Sequence, residues 1–138
     1  MGEYLDGRVM DNSFSIGMIG DSRLSKNGLI KAHWRTSKQH TKIARANAKE
    51  QAIKILSRCS KDWVTLEVAQ VDIVHRYART PLDYDGLACM AAPIIDGIVD
   101  AGILRDDSPK VIARYNLGHQ KVATVPESCI FITVSPAR

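Results

Sequence analysis

Six carboxylates stand between Pro81 and Pro109: Asp83, Asp85, Asp96, Asp100, Asp106 and Asp107. A single base, Arg105, accompanies them. Asp83 and Asp85 are two residues apart, so in an extended segment both carboxylates point the same way and can face one cation. Asp96 and Asp100 are four apart and share a helix face. Asp106 and Asp107 follow the expected end of that helix, where the chain is expected to turn back toward the first pair. Magnesium takes oxygen ligands in near-octahedral geometry and keeps several waters. Two or three aspartates plus phosphate oxygens meet that demand, and the ion then activates water and stabilises charge on a phosphate. The same residues also serve ordinary purposes. An aspartate ahead of a helix caps it, and Asp-Asp-Ser-Pro is a good turn. Crowding favours the cation, because clustered like charges repel unless something offsets the cost.

The acids sit in a basic chain. The 138 residues carry 19 Lys and Arg against 15 Asp and Glu, for a net charge of +4. Residues 1–60 are strongly basic, 81–107 strongly acidic, and 108–138 basic again. A basic half attracts polyanions over distance, although charged helix faces are often merely solvated. The length suits one domain able to bury a core without disulfides or a structural metal. Cys59, Cys89 and Cys129 form no CxxC pair, which argues against a zinc site and for buried thiols. The sequence has no apolar run of membrane-spanning length and no signal-peptide pattern, so a cytoplasmic location is expected.

The elements that must position these residues follow from periodicity. Residues 1–12 lack a pattern and read as a loose, flexible start. Phe14, Ile16 and Met18 alternate as a strand. Thr41 to Ser57 reads as a helix, with Ala44, Ala48, Ala52 and Ile55/Leu56 on one face and Lys42, Arg45 and Lys49 on another. Trp63 to His75 alternates through Val64, Leu66 and Val68 and is expected to be one long strand. Leu87 to Ala101 reads as a helix, with Pro93 bending or restarting it and Gly102 ending it. Lys110 to Leu117 and Cys129 to Val134 are expected strands. The order β-α-β-α-β-β predicts an α/β (α+β) fold, a single domain with a mixed sheet covered by two main helices.

Taken in order, the stretch Asp83-Tyr-Asp85-Gly-Leu87, then Ile95-Asp96, Ala101-Gly102 and Asp106-Asp107, resembles the signature of the RusA-like endonucleases. These are Holliday-junction resolvases found mostly in phages and prophages. Their pattern begins Asp-x-Asp-Asn-Leu, continues through a helix bearing an Asp and then Ala-Gly, and closes with Asp-Asp. Trp34-Arg35 ahead of a basic helix is similar to the family's N-terminal half. The resemblance implies that Asp83, Asp85 and Asp107 are the catalytic, metal-binding acids and that Asp96 is a further metal-side acid. It also implies Mg²⁺ or Mn²⁺, a homodimer, and paired symmetric nicks in branched DNA such as a four-way junction. Two-fold symmetry suits two equivalent strands. The chain departs from the pattern in three ways, one being an interval from Asp85 to Asp96 longer than in the shortest family members. Gly86 stands where the family has Asn, and Leu87 to Pro93 contains no counterpart of the family's lysine; Lys110 and Lys121 are the substitute bases nearby in sequence.

Lys31, His33, Trp34, Arg35, Lys38, Lys42, Arg45 and Lys49 form the candidate DNA-binding surface, with Lys110 added from the far side of the acids. For Trp34, core packing is the favoured reading despite its basic neighbours. His33, His40, His75 and His119 show no metal-ligand spacing and are expected to be surface or packing residues. Three functions remain: a Mg²⁺-dependent junction endonuclease, a branched-DNA-binding protein that does not cut, and an unrelated small α/β protein. The first requires Asp83, Asp85 and Asp107 to converge, because carboxylates more than ~10 Å apart cannot share an ion whose ligands lie about 2 Å away.

Overall fold

Alternation in the strands and three- to four-residue recurrence in the helices converge on one buried layer. Phe14, Ile16 and Met18 face Ile130, Ile132 and Val134, then Val71 and Ile73, across neighbouring strands. Ala44, Ala48, Ala52 and Ile55 from one helix and Leu87, Ala91, Ile94 and Ile98 from the other complete the core. A buried Ile or Leu side chain of this kind contributes roughly 1.5–3 kcal/mol, which is why these positions dictate the layer order.

The computed structural model describes residues 4–10, 12–19, 34–59 and 62–137. They form β1 (Tyr4–Met10), β2 (Ser13–Met18), α1 (Trp34–Cys59), β3 (Ala69–Tyr77), α2 (Tyr84–Asp100), β4 (Ile112–Lys121) and β5 (Cys129–Pro136), with a short 3-10 turn at Val125–Glu127. The strands make one mixed sheet in the order β1-β2-β5-β3-β4. Among the described strands only β3 and β4 pair in parallel, joined by the crossover through α2. The two helices pack against each other and the sheet. The expected α+β architecture and its β-α-β-α-β-β order are present, preceded by one further strand. No helix among the described residues is long and apolar enough to cross a membrane.

Three elements differ from expectation. Residues 4–10 are not loose. They pair antiparallel with β2 as an edge strand, and Asn12 takes the left-handed conformation in the turn. Gly7 and the charges at Asp6 and Arg8 hid the strand's alternation, and charge is common on edges. The helix expected from Thr41 begins at Trp34, because its first turns carry polar residues rather than an apolar face. The strand expected from Trp63 begins only at Ala69. Val64 and Val68 are exposed, and the segment instead crosses the end of α2. There Leu66 N–H donates to the Ile103 carbonyl at 3.0 Å, and the Trp63 indole N–H donates to the same carbonyl at 3.2 Å.

Candidate functional site

Helix α2 carries the acids, and its two ends are built differently. Asp83 is the N-cap. Its backbone is extended, and its Oδ1 accepts from the Gly86 N–H at 2.6 Å, satisfying one of the four donors a helix start leaves open. Asp85 follows in the first turn, on the exposed side. Glycine at 86 matters to this arrangement: a Cβ there would stand 2.8 Å from Asp83 Oδ1 and displace the capping carboxylate. Pro93 sits inside a continuous helix, without restarting it. Gly102, at φ 82°, ends the helix as expected.

The far end holds a second group. Asp96 is half-buried on α2, and Asp107 reaches it from the following turn, close enough for the two carboxyls to hydrogen-bond. Burial pushes the Asp96 carboxyl above its usual range, and the bond to Asp107 and that residue's charge push the same way. Arg45 of α1 opposes this, but its main commitment is to Asp100. Its Nε donates to Asp100 Oδ2 at 2.5 Å and its Nη2 to Oδ1 at 2.8 Å. That two-pronged bond holds the Asp100 carboxyl below its usual range and the Arg45 guanidinium above its own. Asp106 makes the turn itself. The Asp107 N–H, and next the Ser108 hydroxyl, hydrogen-bond its carboxylate and depress its pKa.

The expected convergence therefore does not occur within one chain. Asp85 and Asp96 lie on one face of α2 but three turns apart, about 16 Å along the axis. Asp107 joins Asp96, not Asp83 and Asp85. Among the described residues, no group of three or more His, Cys, Asp or Glu side chains is placed to hold a metal ion. The acids fall into two separate groups, Asp83 with Asp85 at the start of α2 and Asp96 with Asp107 at its end. The turn after α2 explains why. Helix length separates the two ends, and Gly102, Leu66 and Ile103 direct the chain toward the sheet at the helix's C-terminal end.

The basic candidates scatter. Lys31 and His33 lie outside the described residues, as do the side chains of Trp34 and Arg35. Lys38, Lys42 and Lys49 are exposed along α1, and Lys110 is exposed beyond Asp107. Arg45, expected to contact phosphate, is tied to Asp100 instead. The cysteines, expected to be buried, run from exposed Cys59 through half-buried Cys89 to buried Cys129.

Two histidines, expected as surface or packing residues, are part-buried and meet at one backbone segment. His75 on β3 and His119 on β4 stand opposite each other in the parallel register. His75 Nδ1 accepts from the Leu82 N–H at 3.2 Å, and His119 Nε2 lies 2.6 Å from the Leu82 carbonyl. The residue they hold immediately precedes Asp83. No spacing rule finds such a pair, because only the β3–β4 register and the loop path bring the rings to one residue. No family model matches the chain, and a comparison with curated proteins gives no match.

Proposed function

We propose that the protein is a metal-dependent endonuclease for branched DNA whose active sites are assembled between two copies of the chain. One observation carries the reading. Asp85 and Asp96 share a single outward stripe of α2, with Ala88, Cys89 and Ala92 between them. Side chains that small permit helix axes to approach to about 8 Å. A two-fold axis through the middle of the stripe would lay the two α2 helices antiparallel. Asp83 and Asp85 of one protomer would then face Asp96 of the partner subunit and, bonded to it, the partner's Asp107. Each dimer would hold two such clusters, enough carboxylates for a divalent cation that lends charge stabilisation at a scissile phosphate. Two equivalent sites suit paired nicks in a four-way junction, and the exposed lysines of α1 and Lys110 supply phosphate contacts.

A second reading is favoured by a separate observation. Gly86 lets Asp83 act as a cap, Arg45 is engaged by Asp100, and residues 87–93 contain no base. A protein so equipped binds branched DNA without cutting it.

Complementation separates these outcomes. Asp85→Asn and Asp107→Asn are each expected to abolish Mg²⁺-dependent cleavage of a labelled four-way junction. Mixing the two variants rebuilds one intact site per mixed dimer, so nicking of one strand returns without paired resolution. Tight, salt-sensitive binding with no product under Mg²⁺ or Mn²⁺ supports the non-cutting protein. A wild-type chain that neither binds nor cuts the junction ends both readings.

A further inference from the structure

We propose that His75 and His119 are positioning residues for the Asp83–Asp85 half-site, a role that rests on the endonuclease reading above: they grip the N–H and the carbonyl of Leu82 and hold the start of α2 against the sheet.

The geometry sets the chemistry of each ring. A carbonyl only accepts, so His119 Nε2 carries a proton and donates to the Leu82 carbonyl. The Leu82 N–H only donates, so His75 Nδ1 is unprotonated and the ring is neutral, with its proton on Nε2. Burial and the neighbouring His119 push the His75 pKa below its ordinary value, which favours that same neutral form. The rings stand edge to face, 6.0 Å apart between centroids. The Tyr84 ring packs against His119 at 5.1 Å. His119 therefore engages the residues on both sides of Asp83.

Among the described residues, the hydrogen bonds of Asp83 run to its own helix. Its carbonyl accepts from the Leu87 N–H at 2.9 Å and its Oδ1 from the Gly86 N–H. The grip on Leu82 ties that helix start to β3 and β4. Leu82 also packs against the core, but a cavity of ≈ 250 Å³ lies beside it, lined by His75, Thr80, Met90, Cys129 and Ile130 among others. Without the two hydrogen bonds, the connection has space into which it can settle, and Asp83 and Asp85 move with it.

The two ring atoms differ, and this gives an atom-specific test. Asparagine places a polar atom where His75 has Nδ1, and glutamine places one where His119 has Nε2. Two readouts are needed: amide hydrogen exchange at Leu82, and the rate and KM of Mg²⁺-dependent nicking of a four-way junction. His75→Ala is expected to speed Leu82 exchange about tenfold, the effect of losing one hydrogen bond. It lowers kcat by a similar factor with KM within about twofold. His75→Asn restores both and His75→Gln does not; His119→Gln restores what His119→Ala loses. Unchanged exchange in both alanine variants overturns the grip. A loss of kcat that neither matched replacement rescues overturns the positioning role. If the wild-type protein cuts nothing, the endonuclease reading fails on its own, and exchange at Leu82 still decides whether the two histidines hold the loop.

Discussion

Gly97→Ala tests the packing of α2 against α1. Gly97 faces α1, where an added Cβ would lie 2.6 Å from the Ala48 Cβ, 2.6 Å from the Arg45 carbonyl oxygen and 2.7 Å from the Lys49 nitrogen. Two of these three atoms belong to backbone and cannot swing aside. Carbon atoms pack best at about 3.5–4.0 Å, so α2 must retreat from α1 by roughly 1 Å. That retreat loosens the seam along Ala44, Ala48 and Ala52 and stretches the Arg45–Asp100 bonds. Overpacking of this kind costs about 1–3 kcal/mol, and three simultaneous clashes place it at the upper end. Alanine returns about 0.8–1 kcal/mol of helix propensity. The net expectation is a destabilisation of about 2 kcal/mol, read as a fall in Tm of about 8 °C for a domain of this size. Thermal and urea melts of both proteins measure it. Ala48→Gly removes only one of the three clashes and is expected to leave most of the loss in place. A Gly97→Ala protein as stable as wild type, or one fully rescued by Ala48→Gly, would refute the close backbone approach.

Asp96→Asn is expected to stabilise the fold at pH 7 by about 0.5–1 kcal/mol, the order of relieving one like-charge contact at a half-exposed site. The folded Asp96 pKa lies above the unfolded value of 3.8, so the wild-type protein gains relative to the variant as pH falls through the folded pKa. Urea midpoints at pH 7 and pH 4 should show the gap closing. His75 has the opposite sign. Its folded pKa is depressed below 6.5, so its contribution to stability is complete above pH 6.5. Below that, the unfolded chain takes up a proton first and stability declines toward the folded pKa; His75→Asn removes this limb from a Tm-versus-pH curve. Gly86→Ala displaces the Asp83 carboxylate from the residue-86 N–H. Exchange at that amide is expected to quicken about tenfold. Stability changes by less than about 1 kcal/mol, because the lost cap and the gained helix propensity offset each other. Unaltered exchange at residue 86 counts against the cap.

Much of the fold was legible from local pattern. Phe14, Ile16 and Met18 announced a buried strand face, Ala44, Ala48, Ala52 and Ile55 a helix seam, and Gly102 a helix end. These signals are local because burial of one face imposes period two or 3.6 on the chain that forms it. Trp63 to Val68 misled for the same reason. Its alternation records packing of Leu66 over the end of α2 rather than membership in the sheet. The acidic residues were legible as chemistry but not as a site, since six carboxylates in 27 positions say nothing about which pairs meet.

The chain's composition and order by themselves determined the α+β class, the two helices, and an acid-rich helix in a basic protein. Tertiary structure decided how those acids are grouped. A helix rises about 1.5 Å per residue, so once α2 runs unbroken through Pro93, Asp83 and Asp85 are held three turns from Asp96. Which end Asp107 joins depends on the path of the following turn, secured by the Leu66 and Ile103 backbone bonds. Whether Arg45 meets phosphate or Asp100, and whether two distant histidines meet at Leu82, depended on helix packing and strand register. The Arg45–Asp100 and His119–Leu82 contacts join residues 55 and 37 positions apart, and no local periodicity encodes them.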